Sequence, residues 1–225
     1  MPPSSEPRVA DAPAVRLLLR FTRGERWVHR GTGAVMGVCV VTAAILYLGP
    51  LSVLVGRRAL VEQIHVIAGI ALPVPILAGW MSAAFRTDVR RLNRFTAGDW
   101  AWLRSRDRRS GRLRVGKFNA GQKLNASFVT GAILALLGTG LIMRFANHWP
   151  LFLRTGATFV HDWLSYAVAG VLLGHIMFAL RDRAARTGMR SGLVPVDWAY
   201  AEHRAWADDL DGPGLTGREV NPQLP

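Results

Sequence analysis

The chain has 225 residues, half of them hydrophobic, and a formal net charge of +13. Its apolar and charged residues are segregated into long apolar runs and short arginine blocks, the layout of a multi-pass membrane protein rather than of a soluble domain. The one cysteine, Cys39, lies inside an apolar run, which excludes a disulfide framework and a Cys-rich metal site; no Cys-x-x-Cys-His stands ready for covalent haem attachment either.

Residues 1–15, rich in proline and small residues, read as a disordered arm, and no cleavable signal peptide is expected. Four apolar runs follow, at about 27–48, 61–84, 122–143 and 157–180, each long enough for a hydrocarbon core of about 30 Å. Pro73 and Pro75 predict a kink in the second run. Between the second and third runs lies a loop at 85–121, in which "RFTAGDWAWLR" offers Thr96 and Asp99 as helix-start residues ahead of Trp100 and Trp102. A short interfacial helix is expected there, serving as a basic, aromatic surface anchor. The expected organisation is one four-helix transmembrane domain over 16–206 and a flexible tail over 207–225, an all-α fold.

Arginines set the orientation. They crowd the segment before the first run (Arg16 to Arg30), the 85–121 loop and the segment after the fourth run, and are sparse in the two other loops. By the positive-inside rule, both termini and the long loop are cytoplasmic, and the arginines are topology signals rather than a nucleic-acid surface.

Four of the histidines fall within or beside these runs at two depths. His29 and His175 lie toward the inner ends of spans one and four; His65 and His161 lie toward the outer ends of spans two and four. His161 and His175 are separated by an almost wholly apolar stretch. On a helix their spacing corresponds to a rise of about 21 Å and a rotation about 40° short of four full turns, so they share one face at two depths. The pairs His29–His175 and His65–His161 follow. A divalent-metal site wants three or four protein ligands and a proton relay wants a mid-membrane carboxylate, and neither is present. Two axial ligands suffice for haem, which makes two bis-histidine b haems the best reading, low-spin and suited to electron transfer. Glycines stand beside the ligand candidates: Gly33 four residues after His29, Gly69 four after His65, Gly170 and Gly174 before His175, Gly131 and Gly138 on span three. They leave bare backbone for a flat macrocycle, although small residues also mediate helix packing. His148 reads as an interfacial residue, and His203 as solvated or packed on the cytoplasmic face.

"RFTRGERWVHR", "GKFNAGQKLN", the paired histidines of span four and "GMRSGLVPVDWAYAEHRAW" together resemble the cytochrome b (gamma) subunit of respiratory formate dehydrogenases. The resemblance extends to cytochrome b subunits of hydrogenases and other molybdopterin oxidoreductases, and it covers about Arg20 to Trp206. It implies a bacterial inner-membrane four-helix bundle with two b haems, ligated by His29 with His175 inside and His65 with His161 outside. It implies menaquinone or ubiquinone bound near the inner haem by Asn119 and Gly121, with Gln122 and Lys123 as neighbours. It also implies an iron–sulfur (beta) subunit and a catalytic (alpha) subunit as partners, since no dehydrogenase centre lies on this chain. Arg30 stands where the family often has an aromatic residue, and Glu202-His203 where relatives can carry a double histidine. The competing reading from another class is a haem-free transporter or assembly scaffold, whose polar path would have to use Thr42, Thr130 and Thr139.

Overall fold

The computed structural model describes residues 16–211, so the 1–15 arm and the tail beyond 211 lie outside the described residues. In chain order the elements are β1 (Leu17–Leu19), α1 (Arg23–Tyr47), α2 (Gly49–Val55), α3 (Arg58–Ala71), α4 (Val74–Gly79), α5 (Ala83–Leu92), α6 (Ala97–Arg104), α7 (Ala120–Arg144), a 3₁₀ turn (Ala146–His148), α8 (Leu151–Arg181), α9 (Arg183–Ser191), β2 (Leu193–Pro195), α10 (Val196–Glu202) and α11 (Arg204–Asp211). Four stretches are long and apolar enough to cross a membrane: α1, α3 continuing into α4, α7 and α8.

Local chemistry explains where these helices begin. Thr22 caps α1 as part of a capping box: Glu25 Oε2 accepts from the Thr22 amide at 2.6 Å and from its hydroxyl at 2.8 Å. The same device opens α6, where Asp99 Oδ2 accepts from the Thr96 amide at 2.7 Å, so the short helix expected in the loop is present. The kink expected in the second run is also present, as a break at Leu72–Pro73 between α3 and α4. The proline nitrogens have no hydrogen to donate to the helix ladder. That run was expected to reach residue 84 but ends at Gly79. A β-carbon at Gly79 would lie 2.9 Å from Phe85 and Val28, so the chain turns tightly here, and Ser82 starts the separate helix α5. Helix α8 is 31 residues long and begins right after Pro150. Its length of about 46 Å exceeds a hydrocarbon core of about 30 Å, so it also covers residues that hydropathy alone left in the preceding loop.

In the bundle α7 packs along α8, and α1 against α3 and α4. Met36, Leu72, Ala132, Ile133 and Val168 meet at its centre. Most other apolar side chains on the four long helices point outward, as expected of helices whose solvent is lipid.

One end of the bundle is closed by a small cap. Strands β1 and β2 pair antiparallel, Leu18 opposite Val194, a minor departure from an all-α chain. Leu18, Val194, Ala199, Trp206 and Ala207 form a second core beneath them. Helix α11 contributes Trp206 and Ala207 to this core and runs on to Asp211, past the boundary drawn at 206. His203 is not solvated: it is 1% exposed, in the middle of the cap. Its Nδ1 donates to the Gly116 carbonyl (2.8 Å) while its Nε2 accepts from Arg20 Nη2 (2.9 Å). Gly192 joins the cap to α1. Its φ is +94°, and a β-carbon there would lie 2.5 Å from the Phe21 carbonyl oxygen. Gly192→Ala is therefore expected to cost at least about 2 kcal/mol through left-handed strain and that collision. Hydrogen exchange over Leu193–Asp211 measures it, and unchanged protection there would contradict it.

Candidate functional site

Three buried ion pairs fasten the capped end. Lys117 Nζ, in the segment leading into α7, bonds both Asp88 of α5 and Glu25 of α1, the latter at 3.3 Å. Burial, reinforced by the neighbouring Glu25, pushes the Asp88 carboxyl up to about 6. Lys123 Nζ bonds Asp99 Oδ2 at 2.6 Å and the Arg94 carbonyl at 2.9 Å, locking α6 onto α7. Arg109 of the loop reaches Asp182 (3.1 Å) and Glu202 (2.8 Å). Arg30 donates to the Met189 and Arg190 carbonyls, both at 3.1 Å, at the end of α9. Sequence reading marked none of these pairings, and the only local signs of them were the capping-box patterns at Thr22–Glu25 and Thr96–Asp99.

Within the frame so fastened, the histidines meet in two pairs. His29 of α1 faces His175 of α8 near the capped end, with ring centres 6.0 Å apart; His65 of α3 faces His161 of α8 toward the far end, at 6.3 Å. His161 and His175 ride on one unbroken helix, so the helical premise behind their spacing holds. The planes of the two pairs are inclined by 45° and 71°. Among the described residues no hydrogen bond joins the rings of either pair, so the rings do not satisfy each other.

The far pair is oriented by threonines. Thr42 Oγ1 of α1 lies 2.9 Å from His65 Nδ1. Thr139 Oγ1 of α7 lies 3.0 Å from His161 Nδ1. Each hydroxyl has a single hydrogen and a backbone carbonyl at 2.7 Å to take it, Val38 for Thr42 and Ala135 for Thr139. With the hydroxyl donating to that carbonyl, each threonine oxygen is free to accept from the imidazole, an arrangement that has the ring proton on Nδ1 and the Nε2 lone pair open. Near the capped pair, the hydroxyl of Thr32, one turn beyond His29, is buried without a partner. Such a group is costly unless something else in the gap satisfies it.

The donor set fits a haem. Two metal–nitrogen bonds of about 2 Å, plus roughly 1 Å from each nitrogen to its ring centre, would hold opposed imidazoles about 6 Å apart. Two axial rings share only one axis, about which each can turn, so the observed inclinations are compatible with such a ligand pair. The glycines also fit: a β-carbon at Gly33, Gly69, Gly131, Gly138, Gly170 or Gly174 would meet nothing within 4 Å. Glycines used for tight helix–helix packing would meet a neighbour, and these six face open space. Among the described residues no three His, Cys, Asp or Glu side chains gather as a metal cluster.

Asn119 and Gln122 begin α7 in a reciprocal capping box, Asn119 Oδ1 accepting from the Gln122 amide (2.9 Å) and Gln122 Oε1 from the Asn119 amide (3.0 Å). Both carbonyl oxygens are thereby engaged, and both side-chain NH₂ groups are left to donate elsewhere. Gly121 lies against Trp102: a β-carbon would come within 3.0 Å of that ring. Lys123 is already committed to Asp99.

The sequence profile of the family described as prokaryotic cytochrome b561 matches residues 20–191. Over 100 residues the chain is 29% identical to the cytochrome b556(Fdn) subunit of the nitrate-inducible formate dehydrogenase of Escherichia coli K12, a stretch covering 43% of this chain and 46% of that protein. Over 94 residues it is 30% identical to the cytochrome b556 subunit of a Haemophilus influenzae formate dehydrogenase, 40% of either chain. The chain thus spans under half the length of the curated relatives it matches.

Proposed function

Because this chain belongs to the prokaryotic cytochrome b561 family, we propose that its two histidine pairs hold two b haems and carry electrons across the membrane to a quinone. The observation that carries this reading is the two facing ring pairs, 6.0 and 6.3 Å between centres, at two levels of one continuous helix. His29 and His175 ligate the inner iron, and His65 and His161 the outer. Held between two imidazoles, a b haem would supply low-spin, one-electron transfer. The helices keep the two levels about 21 Å apart along α8, so transfer runs across the bilayer rather than along it.

Both termini and the 85–121 loop face the cytoplasm, supported by the arginines concentrated there. The quinone, menaquinone or ubiquinone, binds at the start of α7 on that side. Asn119 and Gln122 offer amide hydrogens to its carbonyls, while Gly121 and Lys123 shape the wall, with Trp102 and Asp99 behind them. The partners are an iron–sulfur subunit docked on the outer face and a catalytic subunit beyond it. The similarity to formate dehydrogenase cytochrome subunits supports a formate dehydrogenase-type complex in a bacterial inner membrane.

A dithionite-reduced minus oxidised visible spectrum of the purified protein, with haem quantified, tests the reading. About two b-type haems per chain are expected. A colourless protein, purified after expression with ample haem, would remove the reading.

A further inference from the structure

We propose that Thr42 and Thr139 are positioning residues for the outer haem alone, that they fix its histidines as Nε2 ligands, and that they hold its potential below that of the inner haem. The proposal rests on the reading of His65 and His161 as haem ligands. Its own ground is the pair of threonine–histidine contacts at 2.9 and 3.0 Å and their absence, among the described residues, from His29 and His175.

The two contacts are built alike from different helices. His65 on α3 is served by α1, and His161 on α8 by α7. In each, the threonine hydroxyl donates back into its own helix, at 2.7 Å to the residue four before it and at 3.0 or 3.2 Å to the residue three before it. A hydroxyl that is donating becomes a better acceptor, so each Nδ1–H bond is strengthened by the carbonyl behind it. Threonine is one of the few residues that fill this role in an apolar helix, because it satisfies itself against the backbone when no partner is near.

A hydrogen bond that draws on Nδ1–H raises the electron density at Nε2 and makes the imidazole a stronger donor. A stronger donor favours the ferric over the ferrous state, which lowers the midpoint potential. Among the described residues the inner rings have no such acceptor, so the inner iron is the easier one to reduce. The asymmetry biases an electron arriving from outside to move inward, toward the quinone.

The test uses the full-length protein with both haems loaded. The outer component is first identified as the one lost in His161→Ala. Thr42→Val and Thr139→Val keep side-chain shape and remove the hydroxyl; Thr42→Ser and Thr139→Ser restore it. Potentiometric titration followed optically and by electron paramagnetic resonance should show the outer component moved to more positive potential in each valine variant. It should return in each serine variant, and the inner component should stay in place throughout. Outer-haem loss should also speed up by about 10-fold in the valine variants. Valine variants with both haems and an unshifted outer potential would overturn the proposal, as would a shift or haem loss that serine does not reverse. A wild-type protein without haem would overturn the ligand reading itself, a result distinct from either.

Discussion

If the two histidine pairs hold two haems as proposed, His175→Ala is expected to remove one of them and abolish quinone reduction while the other remains. His175 completes the inner pair from the α8 side, with its ring centre 6.0 Å from that of His29. On that proposed assignment an inner iron would keep one protein ligand and have nothing on the opposite face, so haem content should fall to about one per chain. Oxidation of the outer donor by a soluble dye should persist, because His161 lies about four turns along α8 from the change, with His65 of α3 facing it there. The fold should survive as well: the lost side chain leaves a small cavity that costs on the order of 1–3 kcal/mol. Haem quantification and quinone-linked turnover read the result together. Retention of both haems in this variant would refute the pairing.

His203→Ala should be the most damaging single change to the cap. Arg20 is 3% exposed, and its guanidinium rests 4.7 Å from the Trp198 ring centre and 5.1 Å from that of Phe21, with Nη2 donating to His203 and to the Lys117 carbonyl. Burial lowers the Arg20 pKa to about 10, which still leaves the group charged at neutral pH. Removing the imidazole deprives a buried cation of an acceptor and the Gly116 carbonyl of its donor, a loss of about 3 kcal/mol or more. Hydrogen exchange and limited proteolysis should find β1, β2, α10 and α11 opened, and His203→Asn should recover part of the loss by retaining an acceptor. Unaltered protection in the alanine variant would show that His203 does not hold the cap.

The same residue makes the cap sensitive to acid. Burial, helped by the Arg20 charge, holds the His203 pKa well below its ordinary 6.5. Below about 6.5 the unfolded chain binds a proton that the folded imidazole refuses, so cap stability falls as the pH drops and is level above that value. The His203 part of this slope should be lost in His203→Asn, leaving the opposite trend of Asp88, whose raised carboxyl takes up a proton below about 6. An acid loss of cap stability as large in His203→Asn as in the wild type would assign it to another group.

The transmembrane architecture was legible because hydropathy, helix rise and capping act locally. An apolar run of twenty or so residues has one stable form in lipid, since its amides must bond within the segment. The fourteen-residue spacing from His161 to His175 puts both on one face in whatever bundle contains them. The helix start at Thr96 and the break at Pro73 are likewise local.

What escaped the sequence was every choice that depends on which helices become neighbours. Thr42 and Thr139 stood in the sequence only as members of the polar path a transporter would need, until α1 was laid beside α3 and α7 beside α8, which turned them toward imidazoles. Lys123 resembled a quinone neighbour by its position in the "GKFNAGQK" segment, but Asp99 twenty-four residues upstream had already taken its charge. His203, the most buried imidazole, sat in a stretch of tail with no marked periodicity. Its partners, Arg20 and Gly116, lie 183 and 87 residues away, beyond the reach of any local pattern. The sequence by itself determined the four membrane-crossing segments and the two levels of histidine along them. The tertiary structure decided which groups face those histidines and what seals the bundle's end, because hydrogen bonds and ion pairs are selected by contact in space while hydropathy is selected along the chain.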